Sequence, residues 1–179
     1  MRIDVAGALT RSTGKESDVS MQTGADGRSL QERLVGYWRL KSYEVRDGLG
    51  VLVGYPLGDD AAGYLRYTAD GLMSVQIMRL DRPRYQAGGL GDGTDVESAA
   101  AARGYVAYAG SYHVKGDSMV VHEPEVSLFP NWVHASMARK VVLVEPRLEL
   151  ITPEPLPFGG QQLTAVLRWE RVEQPGSTT

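Results

Sequence analysis

Glu44 and His122 are the two side chains in this sequence best suited to moving a proton. A carboxylic acid set against apolar walls has its pKa raised toward neutrality, and a histidine ordinarily titrates near there, so the pair could serve as general acid and base. Glu44 lies in the period-two segment Tyr37-Trp-Arg-Leu-Lys-Ser-Tyr-Glu-Val-Arg46. With Trp38 turned inward, strict alternation predicts Leu40, Ser42 and Glu44 inward and Tyr37, Arg39, Lys41 and Tyr43 outward. The structural alternative places Glu44 at a wet rim or bridged to an inner arginine.

His122 depends on register. If Gly116-Asp117 is a two-residue turn, Tyr112, Val114, Met119 and Val121 share an apolar inner face, and His113 and His122 point out. A three-residue loop Lys115-Gly116-Asp117 with a bulge moves the pairing by one and brings Tyr112, Val120 and His122 inward together. Gln76 is equally open, because Met73, Val75 and Ile77 form the more apolar face of its strand, while a ligand cavity could take the mixed face. Arg139 is a candidate counter-charge for Glu44 or an anchor for an anionic ligand, against the alternative of an exposed arginine. Trp132 follows Pro130-Asn131 in a loop and could wall a pocket mouth or plug a core. Trp38, Tyr67 and Tyr112 complete the set of candidate walls and anchors, Trp38 being equally suited to a structural role.

Other chemistries find no support. With no cysteine, thiolate metal sites, disulfides and a cysteine nucleophile are excluded. His113, His122 and His134 lack zinc-ligand spacing, and there is no G-x-S-x-G elbow. Gly88–Gly93 has neither the Walker ending nor a surrounding βαβ unit, which leaves a flexible portal loop. No cofactor and no metal is expected. A net charge of −3 and scattered tyrosines argue against a nucleic-acid partner. The apolar stretch Val5–Leu9 is too short for a secretory or membrane segment, so the expectation is a cytoplasmic protein with no membrane partner.

The elements that must position these side chains are mostly strands. Ser29-Leu-Gln-Glu32 is a capping box that predicts a short helix over Leu30–Val35, ended by Gly36. Strands are predicted over 37–46, 51–53, 63–68, 72–80, 108–114, 118–123, 136–144, 147–152 and 163–172, joined mainly by tight Gly-Asp turns. Thr94-Asp-Val-Glu97 is a second capping box, and the alanines behind it predict a helix over 95–107 covering an open barrel end. Hydrophobic content of 42% over 179 residues suits one domain, 29–173. Residues 1–28 read as a flexible extension and possible lid, and 174–179 as a disordered tail. Such short, evenly spaced strands suit an all-β sandwich or barrel.

Gly36-Tyr37-Trp38, at the start of the first strand, is the G-x-W arrangement of lipocalins, and Leu167-Arg-Trp-Glu-Arg171 places arginines in the last strand. Together with Trp38–Glu44, Gly63–Gly71, Met73–Gln76 and Ser127-Leu-Phe-Pro-Asn-Trp132, this resembles the bacterial lipocalin-like domain proteins over about residues 34–172. The resemblance implies a single antiparallel up-and-down β-barrel of eight or nine strands, in which a last-strand arginine stacks over the first-strand tryptophan. It also favours His122 inward, since a histidine just before the Ser-Leu-Phe-Pro-Asn-Trp stretch recurs in that family. Two functions are then expected: a cofactor-independent cyclase or isomerase, of Diels–Alderase type, acting on a small hydrophobic metabolite, or a carrier of such a molecule. A solidly packed barrel is the third.

Overall fold

The computed structural model describes residues 27–89 and 91–173. Helix α1 (Leu30–Leu34) begins where its capping box requires: the Ser29 hydroxyl accepts the Glu32 amide, and the Glu32 carboxylate accepts the Ser29 amide at 2.7 Å. Leu30 and Leu34 turn into the core. The chain then enters β1 (Gly36–Arg46), followed by β2 (Leu52–Gly54), β3 (Ala62–Tyr67) and β4 (Leu72–Met78). Helix α2 (Asp95–Arg103) separates these from β5 (Tyr105–Lys115), β6 (Met119–Ser127), β7 (Met137–Val144), β8 (Arg147–Ile151), β9 (Leu156–Phe158) and β10 (Gln161–Arg171). Between β6 and β7 lies a single 3₁₀ turn, Pro130–Trp132.

Strands β1, β3, β4, β5, β6, β7, β8 and β10 pair in that order, all antiparallel, and β10 returns to β1. This is a closed eight-stranded barrel, with β2 and β9 added at β1 and β10. Closure leaves no free edge among the eight. Inward positions alternate with outward ones: Gly63, Leu65 and Tyr67 on β3 and Met73, Val75 and Ile77 on β4 are all buried.

One end is sealed by the G-x-W motif. Trp38 is fully buried, its indole N–H donating to the Leu34 carbonyl at 2.9 Å. The Arg171 guanidinium stacks 4.1 Å from its ring centroid and donates to the carbonyls of Val35 and Arg33. Gly36 has φ +136°, and a Cβ there would stand 2.7 Å from Arg171 Nη1. The motif thus needs glycine both for its backbone and for the arginine that closes over the tryptophan.

Helix α2 and strand β1 depart from expectation in ways that bear on the interior. Helix α2 stops at Arg103 rather than 107, because Gly104 ends it and Tyr105–Tyr108 pair with β4. The alternation predicted for β1 fails beyond Leu40. Leu40 opposes Trp169 while Ser42 opposes Arg168, so Lys41 is an extra, bulged residue. A one-residue bulge exchanges the faces beyond it. Tyr43 therefore turns inward and Glu44 outward. The expected lid and tail fall on residues 1–28 and 174–179, of which 1–26 and 174–179 lie outside the described residues.

Candidate functional site

The end opposite the Trp38 seal is hollow. A cavity of about 610 Å³ opens there, within the size range of small-molecule sites. Its walls are aliphatic side chains from five strands: Leu65, Val75, Ile77, Val106, Leu150 and Leu167. Aromatic rings supply the rest, with Tyr43, Tyr108 and Trp169 inside and Phe129 and Trp132 in the segment leading out of β6. Trp132 meets Tyr108 and Phe129 edge-on, at 5.6 Å and 5.3 Å between centroids, a geometry that fixes the three rings relative to one another. Ala102 and Arg103 of α2 reach the same cavity, so the inserted helix does border the open end. Phe129 and Leu156 remain partly exposed and mark where the cavity meets solvent.

Among the residues singled out from the sequence, Arg139 and Trp132 line this cavity. His122, Tyr67, Tyr112 and Trp38 are inward and buried but belong to the packed region toward the sealed end. Tyr112 opposes His122 and Val114 opposes Val120, leaving a three-residue loop at Gly116–Ser118, one residue later than the expected Lys115–Asp117. The pairing is neither expected register, but it has the same parity as the second and so carries His122 inward. Its ring is held from both sides: the Tyr67 hydroxyl lies 2.6 Å from Nε2 and the Tyr108 hydroxyl 3.0 Å from Nδ1. A neutral imidazole has one donor and one acceptor, so one tyrosine donates to it and the other accepts from it. Burial, reinforced by the positive charge of Arg139, pushes the His122 pKa down to about 3. Burial likewise raises Tyr67 and Tyr108 above the ordinary phenol value. Tyr112 donates to the Thr68 carbonyl at 2.9 Å.

Glu44 and Gln76 are corrections. Glu44 sits on the outer face, where Arg46 and Ser42 donate to its carboxylate and Arg168 pairs with it while also binding Glu149 at 2.9 Å. Burial alone would raise its pKa, but the hydrogen bonds from Arg46 and Ser42 and the charge of Arg168 outweigh this and lower it. It is a structural ion-pair residue facing away from the cavity, not an acid against apolar walls, and it is no counter-charge for Arg139. Gln76 is exposed on the outer face, because the three apolar residues around it take the interior. Sequence reasoning missed Tyr43, Tyr108 and Trp169. Only Tyr108 carried a signal, standing four residues before Tyr112 on one strand and hence on one face.

A closed barrel sealed by a Trp–Arg stack and hollow at the other end is the architecture of a ligand-binding calyx. The lipocalin-like domain family matches residues 35–172, which is most of the chain. The protein belongs to the lipocalin-like domain family. It is also similar to the 4'-hydroxy-3'-methoxypropiophenone carrier protein ppsC of Aspergillus oryzae, with 35% identity over 107 residues, covering 56% of this chain and 96% of that protein. The lipocalin-like fold accounts for the Gly36-Tyr37-Trp38 seal and for the cavity, which together fit binding of a small hydrophobic molecule. Among the described residues, no helix is long and apolar enough to cross a membrane.

Proposed function

We infer that the protein binds and carries a small, largely apolar molecule in its barrel cavity without transforming it. The observation that supports this best is the mismatch between the cavity and the proton-moving pair. The cavity is roomy, apolar and open, yet Glu44 lies outside the barrel wall and His122 is locked between two hydroxyls with its pKa near 3. A cyclase or isomerase reading needs polar groups aimed at bound substrate, and the residues expected to supply that chemistry are turned elsewhere. The similar fungal protein is named a carrier of an aryl ketone, and a flat aromatic ring system suits walls built from Tyr43, Tyr108 and Trp132.

The test uses N-phenyl-1-naphthylamine, a neutral dye that fluoresces in apolar surroundings. Saturable one-to-one binding is expected, and Val106→Trp, which fills the cavity from β5, is expected to weaken it at least tenfold. Non-saturable binding, or affinity unmoved by Val106→Trp, would overturn the reading.

A further inference from the structure

Among the described residues, the charged side chains bordering the cavity are two arginines and no carboxylate. Arg103 stands exposed on α2. Arg139 lies deeper, projecting from β7 on the same inner face as Met137 and Val141. Its charge acts on Tyr43 from β1, Tyr67 from β3, Tyr108 from β5 and His122 from β6, so the guanidinium sits amid the inward faces of four other strands. Among the described residues no carboxylate pairs with it. One terminal nitrogen donates to the neighbouring Ala138 carbonyl at 2.7 Å, the other lies 4.0 Å from the Met137 sulfur, and the guanidinium also faces the Tyr108 hydroxyl.

The remaining polar groups include further donors, though the Tyr43, Tyr105, Tyr108 and Thr152 hydroxyls accept as well as donate. Trp169 forms part of the wall, and its indole N–H is buried without a hydrogen-bond partner. Burial pushes the Tyr43 phenol up to about 12, which keeps its O–H in place across the neutral range. A half-buried guanidinium in an apolar chamber favours an anion far more than the same group in water would. Among the described residues the chamber therefore presents positive charge and supplies no acid to match it.

We propose that the cavity selects aromatic ligands bearing one anionic oxygen group, such as a carboxylate, a sulfonate or an acidic enol, and that Arg139 holds that group. This rests on the cavity-binding reading and adds the ligand's charge class to it. Arg139 is then the specificity-determining residue, and the aromatic walls are indifferent to charge.

Two dyes with one skeleton provide the test: 1-anilinonaphthalene-8-sulfonate and its uncharged counterpart N-phenyl-1-naphthylamine. Their affinities are measured in the full-length protein and in Arg139→Met, which keeps most of the side-chain volume, with mutual displacement showing that both occupy one site. The ratio of sulfonate to neutral affinity is expected to fall at least fivefold in Arg139→Met and to recover in part in Arg139→Lys. A smaller fall overturns the proposal while leaving the cavity-binding reading intact. Failure of the neutral dye to bind the wild-type cavity overturns both. In the wild-type protein the Arg139 Nε–H resonance is expected to shift with the sulfonate and not with the neutral dye. Equal shifts, or none, count against the proposal, so the test stands even if Arg139→Met does not fold.

Discussion

Acidification should weaken this fold through one histidine. Folded His122 has a pKa near 3, whereas the same ring in the unfolded chain titrates at its ordinary 6.5. Between those values the unfolded chain takes up a proton that the native state refuses. Stability therefore falls as pH drops below 6.5 and is unaffected by this group above it. Integrating from pH 7 to pH 5 gives a loss of about 2 kcal/mol from His122 alone. The physical cause is specific: a protonated ring would donate from both nitrogens, leave the Tyr67 and Tyr108 hydroxyls facing two donors, and stand beside the Arg139 charge. The assay is urea unfolding at both pH values for wild type and His122→Gln. Wild type should lose about 2 kcal/mol more than the variant between pH 7 and pH 5. If the variant is too unstable, the His122 ring resonances in the wild type should stay unshifted over the same range. Equal losses in both proteins, or a His122 titration near 6.5, would refute the reasoning.

Three other outcomes follow from the seal and the outer ion pairs. Arg171→Met should cost about 2 kcal/mol in urea unfolding, since it removes both the stack on Trp38 and the carbonyl caps. Gly36→Ala should cost a similar ~2 kcal/mol, and the double variant should cost less than the sum, because both changes disturb one contact; strict additivity would contradict this. Glu44→Gln should destabilise by about 1–2 kcal/mol at pH 7 and leave N-phenyl-1-naphthylamine affinity within about twofold. Because the Glu44 pKa is lowered by folding, that difference should fade as pH falls through the carboxylate range; loss of dye affinity in the variant would place Glu44 back at the cavity.

What the sequence disclosed depended on the range of the interaction. The two capping boxes are written in four residues each, and both helices start where Ser29 and Thr94 place them. The G-x-W seal was also legible, through the resemblance to lipocalin-like proteins, in which a last-strand arginine stacks over the first-strand tryptophan. The interior was less so. The bulge at Lys41 is set by how β1 meets β10, more than 120 residues away in sequence, and nothing local announces it. That single extra residue exchanged Tyr43 for Glu44 and removed the expected acid from the cavity. The three-residue loop at Gly116–Ser118 had the same leverage over His122, and periodicity alone could not choose between the two registers. The face of Gln76 stayed open for another reason. Its strand carries more apolar residues on the opposite face, and the hydrophobic effect took precedence over the wish for a polar cavity group.

The most direct test of the account is the position of a bound neutral dye. With N-phenyl-1-naphthylamine bound, the account predicts intermolecular NOEs from its rings to the methyls of Leu65, Val75, Ile77, Leu150 and Leu167 inside the barrel. NOEs confined to outer methyls such as those of Val142 and Val144, which border a separate surface hollow, would contradict it.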